Sequence, residues 1–169
     1  MEWILSVMAN DRPGLVERIA REVRQYGGNW EESSLSRLAG RFAGIIRITL
    51  KDDRATELQS ALENLAVDGL TVSMIAGDNA QSGADLRAVT LELVGHDKAG
   101  IISEISTVLA SLQINVDKLT TQVESSSMTA EPLFRAFAQL QVPVAVDEDT
   151  LQQRLEAIAN DLMVDINVA

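Results

Sequence analysis

The chain has 169 residues and a formal net charge of −11, and 46% of its residues are apolar but only 4% are aromatic. This composition predicts a globular protein with an aliphatic core, organised as one large or two small domains. So acidic a chain repels phosphate backbones, which disfavours direct binding of nucleic acid. The absence of Cys excludes disulfides and Cys-bound zinc, and a single His leaves no His cluster for a metal site.

The first residues carry neither a basic segment nor a long apolar run, so no signal peptide is predicted. No stretch approaches the roughly 20 apolar residues that cross a membrane. We therefore expect a cytoplasmic protein that binds no membrane.

The first half of the chain predicts six elements in the order βαββαβ. Trp3, Leu5 and Val7 alternate as in a strand, and an apolar stripe from Leu15 to Tyr26 has helical spacing. Asp11 is predicted to cap this helix, with Pro13 in its first turn. The remaining elements are strands over 29–38 and 41–51, a helix capped by Asp52 or Asp53, and a strand over 70–76.

The second half repeats the first. Asn10-Asp11-Arg12-Pro13-Gly14-Leu15-Val16 returns 86 residues later as His96-Asp97-Lys98-Ala99-Gly100-Ile101-Ile102, and Asn29 returns as Asn115. Strands are predicted over 86–94, 115–123 and 133–142 and at the end of the chain. One helix is capped by Asp97, and another begins at the acidic run 147–149.

Two copies of about 80 residues are long enough for small domains. We predict domains over residues 1–77 and 86–169, joined by a small, polar linker over 78–85. The fold class is α+β, with two ferredoxin-like βαββαβ domains. Each is a four-stranded antiparallel sheet with two helices on one face.

The loop from the first strand to the first helix is the polar, Gly-containing part of both copies. Gly14 and Gly100 stand where each helix begins, and free N–H groups at a helix start attract a carboxylate. Asp11 and Asp97 could accept an ammonium group, while Asn29 and Asn115 are expected at the same end of each sheet. This combination suits a free amino acid. The structural alternative is an ordinary helix start with an Asp cap.

These residues resemble the ACT domain signature, in Asp11-Arg12-Pro13-Gly14-Leu15-Val16 with Gly28-Asn29 and again in the run 95–102 with Ile114-Asn115-Val116. ACT domains are βαββαβ modules that bind amino acids and regulate the proteins that carry them. Two such repeats filling the chain resemble the glycine cleavage system transcriptional repressor family. Pro132-Leu133-Phe134, Val142-Pro143 and the segment 161–166 support this resemblance.

The resemblance implies a non-catalytic regulator without a cofactor. It would hold a separate transcriptional activator protein inactive until a small amino acid, most simply glycine, relieves the repression. A homo-oligomer is expected. The ligand would lie between two domains, which implies the following binding residues: Asn10, Asp11, Gly14, Leu15, Val16, Asn29, His96, Asp97, Gly100, Ile101, Ile102 and Asn115.

Two other functions fit the same residues. One is a protein-interaction module that has lost its ligand, and the other is a regulatory fragment related to formyltetrahydrofolate deformylase. The insertion over 125–132 predicts either a hairpin tip or a contact for a protein partner. The arginines of the first helix form either a solvated face or a nucleic-acid patch, and the interleaved Glu17 and Glu22 favour the solvated face.

Overall fold

A computed structural model of the chain describes residues 1–78, 85–125, 132–162 and 164–169. The chain divides into two compact units, Met1–Ala80 and Gln81–Ala169. Most of the predicted linker, residues 79–84, and most of the insertion, residues 126–131, lie outside the described residues. The two predictions that concern them therefore stay predictions.

The first unit has the predicted βαββαβ order. Its elements are β1 (Glu2–Asn10), α1 (Leu15–Gln25), β2 (Asn29–Leu38), β3 (Arg41–Thr49), α2 (Ala55–Asn64) and β4 (Leu70–Ala76). Short 3-10 helices, Asp52–Arg54 and Leu65–Asp68, flank α2. The strands form one antiparallel sheet in the order β2-β3-β1-β4.

The second unit repeats this topology. Its elements are β5 (Leu86–His96), α3 (Ile101–Ser111), β6 (Asn115–Ser125), β7 (Pro132–Pro143), α4 (Glu148–Leu162) and β8 (Val164–Val168). The sheet order is β6-β7-β5-β8, again antiparallel throughout. The predicted α+β fold of two ferredoxin-like domains is confirmed.

Each unit has its own aliphatic core between one face of its sheet and its two helices. In the first unit, Leu5 and Val7 of β1 pack with Ile19 of α1 and Leu58 of α2. In the second unit, Leu91 of β5 packs with buried residues of α3 and α4. No polar or charged residue of the described chain is buried, so the cores are held by apolar packing.

The three predicted helix caps are wrong, although a helix does begin at the acidic run 147–149, as predicted. The N-cap residues of α1, α2 and α3 are Gly14, Arg54 and Gly100, and no side chain accepts a capping hydrogen bond at any of the three helices. None of the predicted residues Asp11, Asp52, Asp53 and Asp97 is therefore a helix cap. Asp147 does cap α4, because its Oδ1 accepts a hydrogen bond of 2.6 Å from the Thr150 N–H. This bond and a second from the Thr150 hydroxyl lower the pKa of Asp147.

Candidate functional site

The two predicted turns lead into helices whose first amides have no side-chain cap. We name them the β1–α1 turn (Asn10–Gly14) and the β5–α3 turn (His96–Gly100). Gly14 has φ +89° and Gly100 has φ +99°, a left-handed conformation that disfavours any side chain. A Cβ atom built on either glycine meets no heavy atom within 4 Å. The space beside both helix starts is therefore open.

The side chains that follow the glycines divide between core and surface. Leu15 and Ile101 are buried, so they can offer a ligand only their main-chain N–H groups. Val16 is 45% exposed and Ile102 is half-buried. Of the four apolar residues predicted to contact the ligand, only Val16 of α1 and Ile102 of α3 have side chains that solvent reaches.

Arginines surround the β1–α1 turn. The Arg37 Nε lies 2.8 Å from Asp11 Oδ2, and Arg41 donates a hydrogen bond to the Asn10 side chain. The Asp11 N–H also donates to the carbonyl of Gly40 in the β2–β3 turn, at 3.0 Å. The predicted acceptor for an ammonium group, Asp11, is thus already paired with a guanidinium.

The β5–α3 turn has the same backbone but lacks these arginines. The Asp97 N–H donates to the Pro132 carbonyl at 3.1 Å, as Asp11 does to Gly40. Strand pairing places Val123 where the first unit has Arg37, because Arg37 lies opposite Phe42 and Val123 opposite Phe134. Among the described residues, no ion pair neutralises Asp97. The second turn therefore keeps a negative charge that the first turn has lost.

The prediction that the asparagines lie at the same end of the sheet as the turns is wrong. Strand pairing aligns Asn29 with Thr49, and Thr49 with Glu2, whereas Asn10 at the other end of β1 lies opposite Arg41. Asn115 likewise aligns with Gln141 and through it with Ala88, far along β5 from His96. A β–α–β crossover returns the chain to the end where the first strand began. One domain therefore cannot bring its turn and its asparagine to one small ligand.

Asn29 also has a local partner. Its side-chain amide donates to Glu31 Oε1 at 2.7 Å, and the Thr49 hydroxyl donates to the same oxygen at 2.9 Å. These two hydrogen bonds lower the pKa of Glu31, and the one from Asn29 has the larger effect. The start of β2 is thus a small polar cluster at the sheet end opposite the β1–α1 turn.

Arg37 and Arg41 were missed by the sequence analysis. Both flank the Ala39–Gly40 turn, and the β2–β3 hairpin returns beside the end of β1. The predicted βαββαβ topology contained this information, since it brings the hairpin turn next to the β1–α1 turn. Two arginines on either side of a predicted hairpin turn were the available indication.

A second arginine pair connects the β1–α1 turn to the start of β4. The Arg12 Nη2 donates to the Asp68 carbonyl at 2.6 Å, and the Arg18 guanidinium pairs with the Asp68 carboxylate. The hydrogen bond from Arg18, together with its charge, holds the pKa of the Asp68 carboxyl below its ordinary value. Asp68 is thus better stabilised as an anion when the domain is folded.

Asp68→Asn is therefore expected to remove part of the acid sensitivity of the fold. A lowered pKa contributes stability above the ordinary value of 3.8, and this stability is lost as the pH falls through the folded pKa. The melting temperature of the variant should fall below that of the parent at pH 7, and the two should converge as the pH falls through the folded pKa of Asp68. Asp53→Asn, at a carboxylate with no ion pair among the described residues, is the control and should change neither.

Other kinds of site receive no support within the described residues. There, no group of three or more Asp, Glu or His side chains is placed to hold a metal ion. No helix in the described part of the chain is long and apolar enough to cross a membrane.

The architecture defines the class of protein: a tandem of two ferredoxin-like α+β domains, each with a glycine at the start of its first helix. Residues 3–74 match the family model of the ACT domain. The first unit thus matches the ACT domain over nearly all of its described residues, and the chain has a two-domain ACT-like architecture.

Solved structures share this two-domain fold over nearly the whole length of the chain. A protein of unknown function from Galdieria sulphuraria is 26% identical, with a TM-score of 0.88 over 99% of this chain and 96% of that one. A candidate glycine cleavage system transcriptional repressor is 20% identical, with a TM-score of 0.71 over 99% of this chain and 95% of that one. The comparison with curated proteins gives no match.

Proposed function

We propose that this chain is an amino-acid-sensing regulatory protein without catalytic activity. It acts in the cytoplasm and controls transcription of glycine cleavage genes indirectly, by binding a separate activator protein. A small amino acid, glycine in the first instance, relieves the repression. The ACT domain match and the whole-length similarity in fold to a candidate repressor of these genes support this proposal.

The observation that carries the proposal is the open, uncapped helix start beside Gly14 and beside Gly100. The first N–H groups of a helix and its partial positive charge bind a carboxylate, and an Asp at the same turn binds an ammonium group. A free amino acid carries both groups on one carbon atom. Val16, which is exposed, and Ile102, which is half-buried, are the side chains that would limit the size of the ligand's own side chain.

The acidity of the chain agrees with an indirect mode of action. A net charge of −11 opposes contact with DNA phosphates, so control of transcription would pass through a protein partner. An effector changes that partnership only if it binds the partner-free and partner-bound forms with different affinity. The expected coupling is reciprocal: glycine weakens activator binding, and the activator weakens glycine binding by the same factor.

The test is a thermal-shift screen of the full chain against the twenty amino acids, followed by calorimetry. Glycine at about 100 times its Kd should stabilise the folded form by about 2.7 kcal/mol. Larger amino acids should give progressively smaller shifts. Glycine should then reduce binding of the chain to the activator of glycine cleavage genes, whereas the chain alone should not shift DNA in a gel. No response to any amino acid would overturn the sensor and favour a pure interaction module.

A further inference from the structure

The sheet of the first domain packs α1 and α2 on one face, and we name its other face the open face of the first domain. Leu5 and Val7 of β1 lie in the core, so the residues that alternate with them lie on the open face. Large apolar residues lie there on the adjacent strands β3, β1 and β4: Ile4, Met8, Ile45 and Ile75. Met8, Ile45 and Ile75 are 60%, 54% and 61% exposed, and a contiguous exposed apolar patch is typical of an interaction site.

The strand register makes these four side chains one continuous patch. Ile4 lies directly opposite Ile75, while Ile45 lies opposite Ser6 and therefore diagonal to both Ile4 and Met8. Opposite residues are about 5 Å apart and diagonal ones about 7 Å, which long apolar side chains can span. The patch is roughly 10 Å wide across three strands and roughly 13 Å long from Ile4 to Met8.

A depression in this patch can receive an apolar side chain. It has a volume of about 210 Å³ and is lined in part by Ile4, Ser34 and Ile45. Ile45 lies between two short side chains, because Ser34 is opposite it on β2 and Ser6 is opposite it on β1. Protein interfaces concentrate their binding energy in pockets that enclose a large side chain of the partner. The depression is thus suited to anchor one such residue.

The corresponding face of the second domain is charged. Strand pairing places Phe137 where the first domain has Ile45, and Glu92 opposite it where the first domain has Ser6. Arg135, two residues from Phe137 on the same face, adds a charge of the opposite sign. Because the same fold forms with these charges in place, folding does not require an apolar patch on this face. The patch of the first domain therefore indicates a contact outside the domain.

Charge at one end of the patch favours a basic partner. The Arg47 guanidinium, opposite Ile4, lies 2.9 Å from Glu2 Oε1 and 3.1 Å from Glu32 Oε2. Two carboxylates around one guanidinium leave this end with a net negative charge. The net charge of −11 on the whole chain adds a field that attracts a cationic surface.

The dimensions of the patch favour an α-helix. A helix is about 10–12 Å in diameter and rises about 11 Å in two turns, which matches the patch in width and in length. The other face of the same sheet already packs two helices, so the curvature of the sheet accepts this element. A helix with apolar residues at i, i+3, i+4 and i+7 presents the stripe that such a contact needs.

We propose that the open face of the first domain binds one amphipathic helix of a partner protein, with Lys or Arg beside its apolar stripe. One apolar side chain of the helix fills the depression beside Ile45, and its basic residues face Glu2 and Glu32. The proposed function identifies the partner as the activator of glycine cleavage genes, and in that identification this inference rests on the proposed function.

A synthetic helical peptide tests the surface without the activator. The probe consists of Leu at i, i+3, i+4 and i+7 with Lys at the other positions, and fluorescence anisotropy measures its binding to the full chain. Ile45→Glu should weaken binding at least about tenfold, because the interface would then bury an unpaired carboxylate. A purely electrostatic attachment predicts the opposite, since an added negative charge strengthens binding of a cationic peptide.

Matched variants separate the apolar contact from charge and from misfolding. Phe137→Glu adds the same charge at the corresponding position of the second domain and should not weaken binding of the peptide. Met8→Glu, on another strand of the patch, should reproduce the loss seen with Ile45→Glu, so the test does not depend on one variant. Melting temperatures confirm that each variant is folded.

The activator is the second probe, used without glycine. Ile45→Glu should weaken its binding at least about tenfold, and Phe137→Glu should leave it unchanged. An activator that fails to bind even the parent chain would contradict the proposed function, whereas the peptide result still decides about the surface. Peptide binding that Ile45→Glu leaves unchanged or strengthens would overturn the inference. So would a lower mass of Ile45→Glu than of the parent in sedimentation, since the face would then belong to a second copy.

Discussion

Asp97→Ala is expected to weaken the binding of glycine by the full chain roughly 10- to 150-fold, the range for losing a hydrogen bond to a charged group. Of the two turn carboxylates, Asp97 alone lacks an arginine among the described residues, so it offers the ammonium group an uncompensated negative charge. Asp11→Ala should leave the tighter binding event within about twofold, because its carboxylate is paired with Arg37. Calorimetry of both variants measures the difference.

A complementary variant, Arg37→Gln, removes the guanidinium that neutralises Asp11 in the β1–α1 turn. Arg37→Gln frees the Asp11 carboxylate, so a second binding event should appear and the stoichiometry should approach two per chain. The exposed Arg37–Asp11 pair itself contributes at most about 1 kcal/mol, so the variant should fold normally. Arg41→Gln is the control, since Arg41 binds Asn10 and not Asp11. Equal losses in Asp11→Ala and Asp97→Ala would contradict the asymmetry between the two turns.

Gly44→Ala is expected to destabilise the first domain by about 3 kcal/mol, the upper end of the usual cost of overpacking. A Cβ atom at Gly44 would clash with the Ser34 carbonyl oxygen and lie 2.8 Å from the Leu35 Cα, both main-chain atoms of the neighbouring strand. Relief would require β2 and β3 to separate. Urea unfolding, followed by the fluorescence of Trp3 and Trp30, reports this domain because the second has no Trp.

Ala43→Ser is the control for Gly44→Ala. It lies one residue away on the opposite face of β3 and should change the free energy of unfolding by no more than about 0.5 kcal/mol. The second domain shows that this restriction is local, since Ala136 occupies the register position of Gly44 there. An unchanged free energy of unfolding in Gly44→Ala would contradict the prediction, because it would mean that β2 and β3 can separate at little cost.

The element order and most strand limits were predictable because they depend on local periodicity. The predicted strands 29–38 and 70–76 match β2 and β4, since alternating residues and flanking turn residues mark both limits. Helix starts were less predictable. Asp11 and Asp97 are favourable caps by residue type, yet a left-handed glycine begins each helix three residues later, and Asp11 turns to an arginine that is distant in sequence.

The site was predictable in part, and its limits have a geometric origin. The two glycine turns were found because they repeat and because Gly has a specific conformational use. Asn29 was assigned to the wrong end of the sheet because the end at which a strand begins depends on the whole crossover and not on adjacent residues. The arginines around Asp11 were missed because they come from a hairpin 26 to 30 residues further along the chain.

The hydrogen bond from Arg12 and the ion pair of Arg18, both to Asp68, have a mechanical consequence for the first domain. Arg12 belongs to the β1–α1 turn, Arg18 to the first turns of α1, and Asp68 directly precedes Gly69 and β4. The N-terminal end of α1 and the start of the edge strand β4 are therefore mechanically coupled. If the N-terminal end of α1 moves, either the contacts of Arg12 and Arg18 with Asp68 must break or the start of β4 must move with the helix. Ligand binding at the β1–α1 turn could in this way change the position of the β4 edge of the sheet.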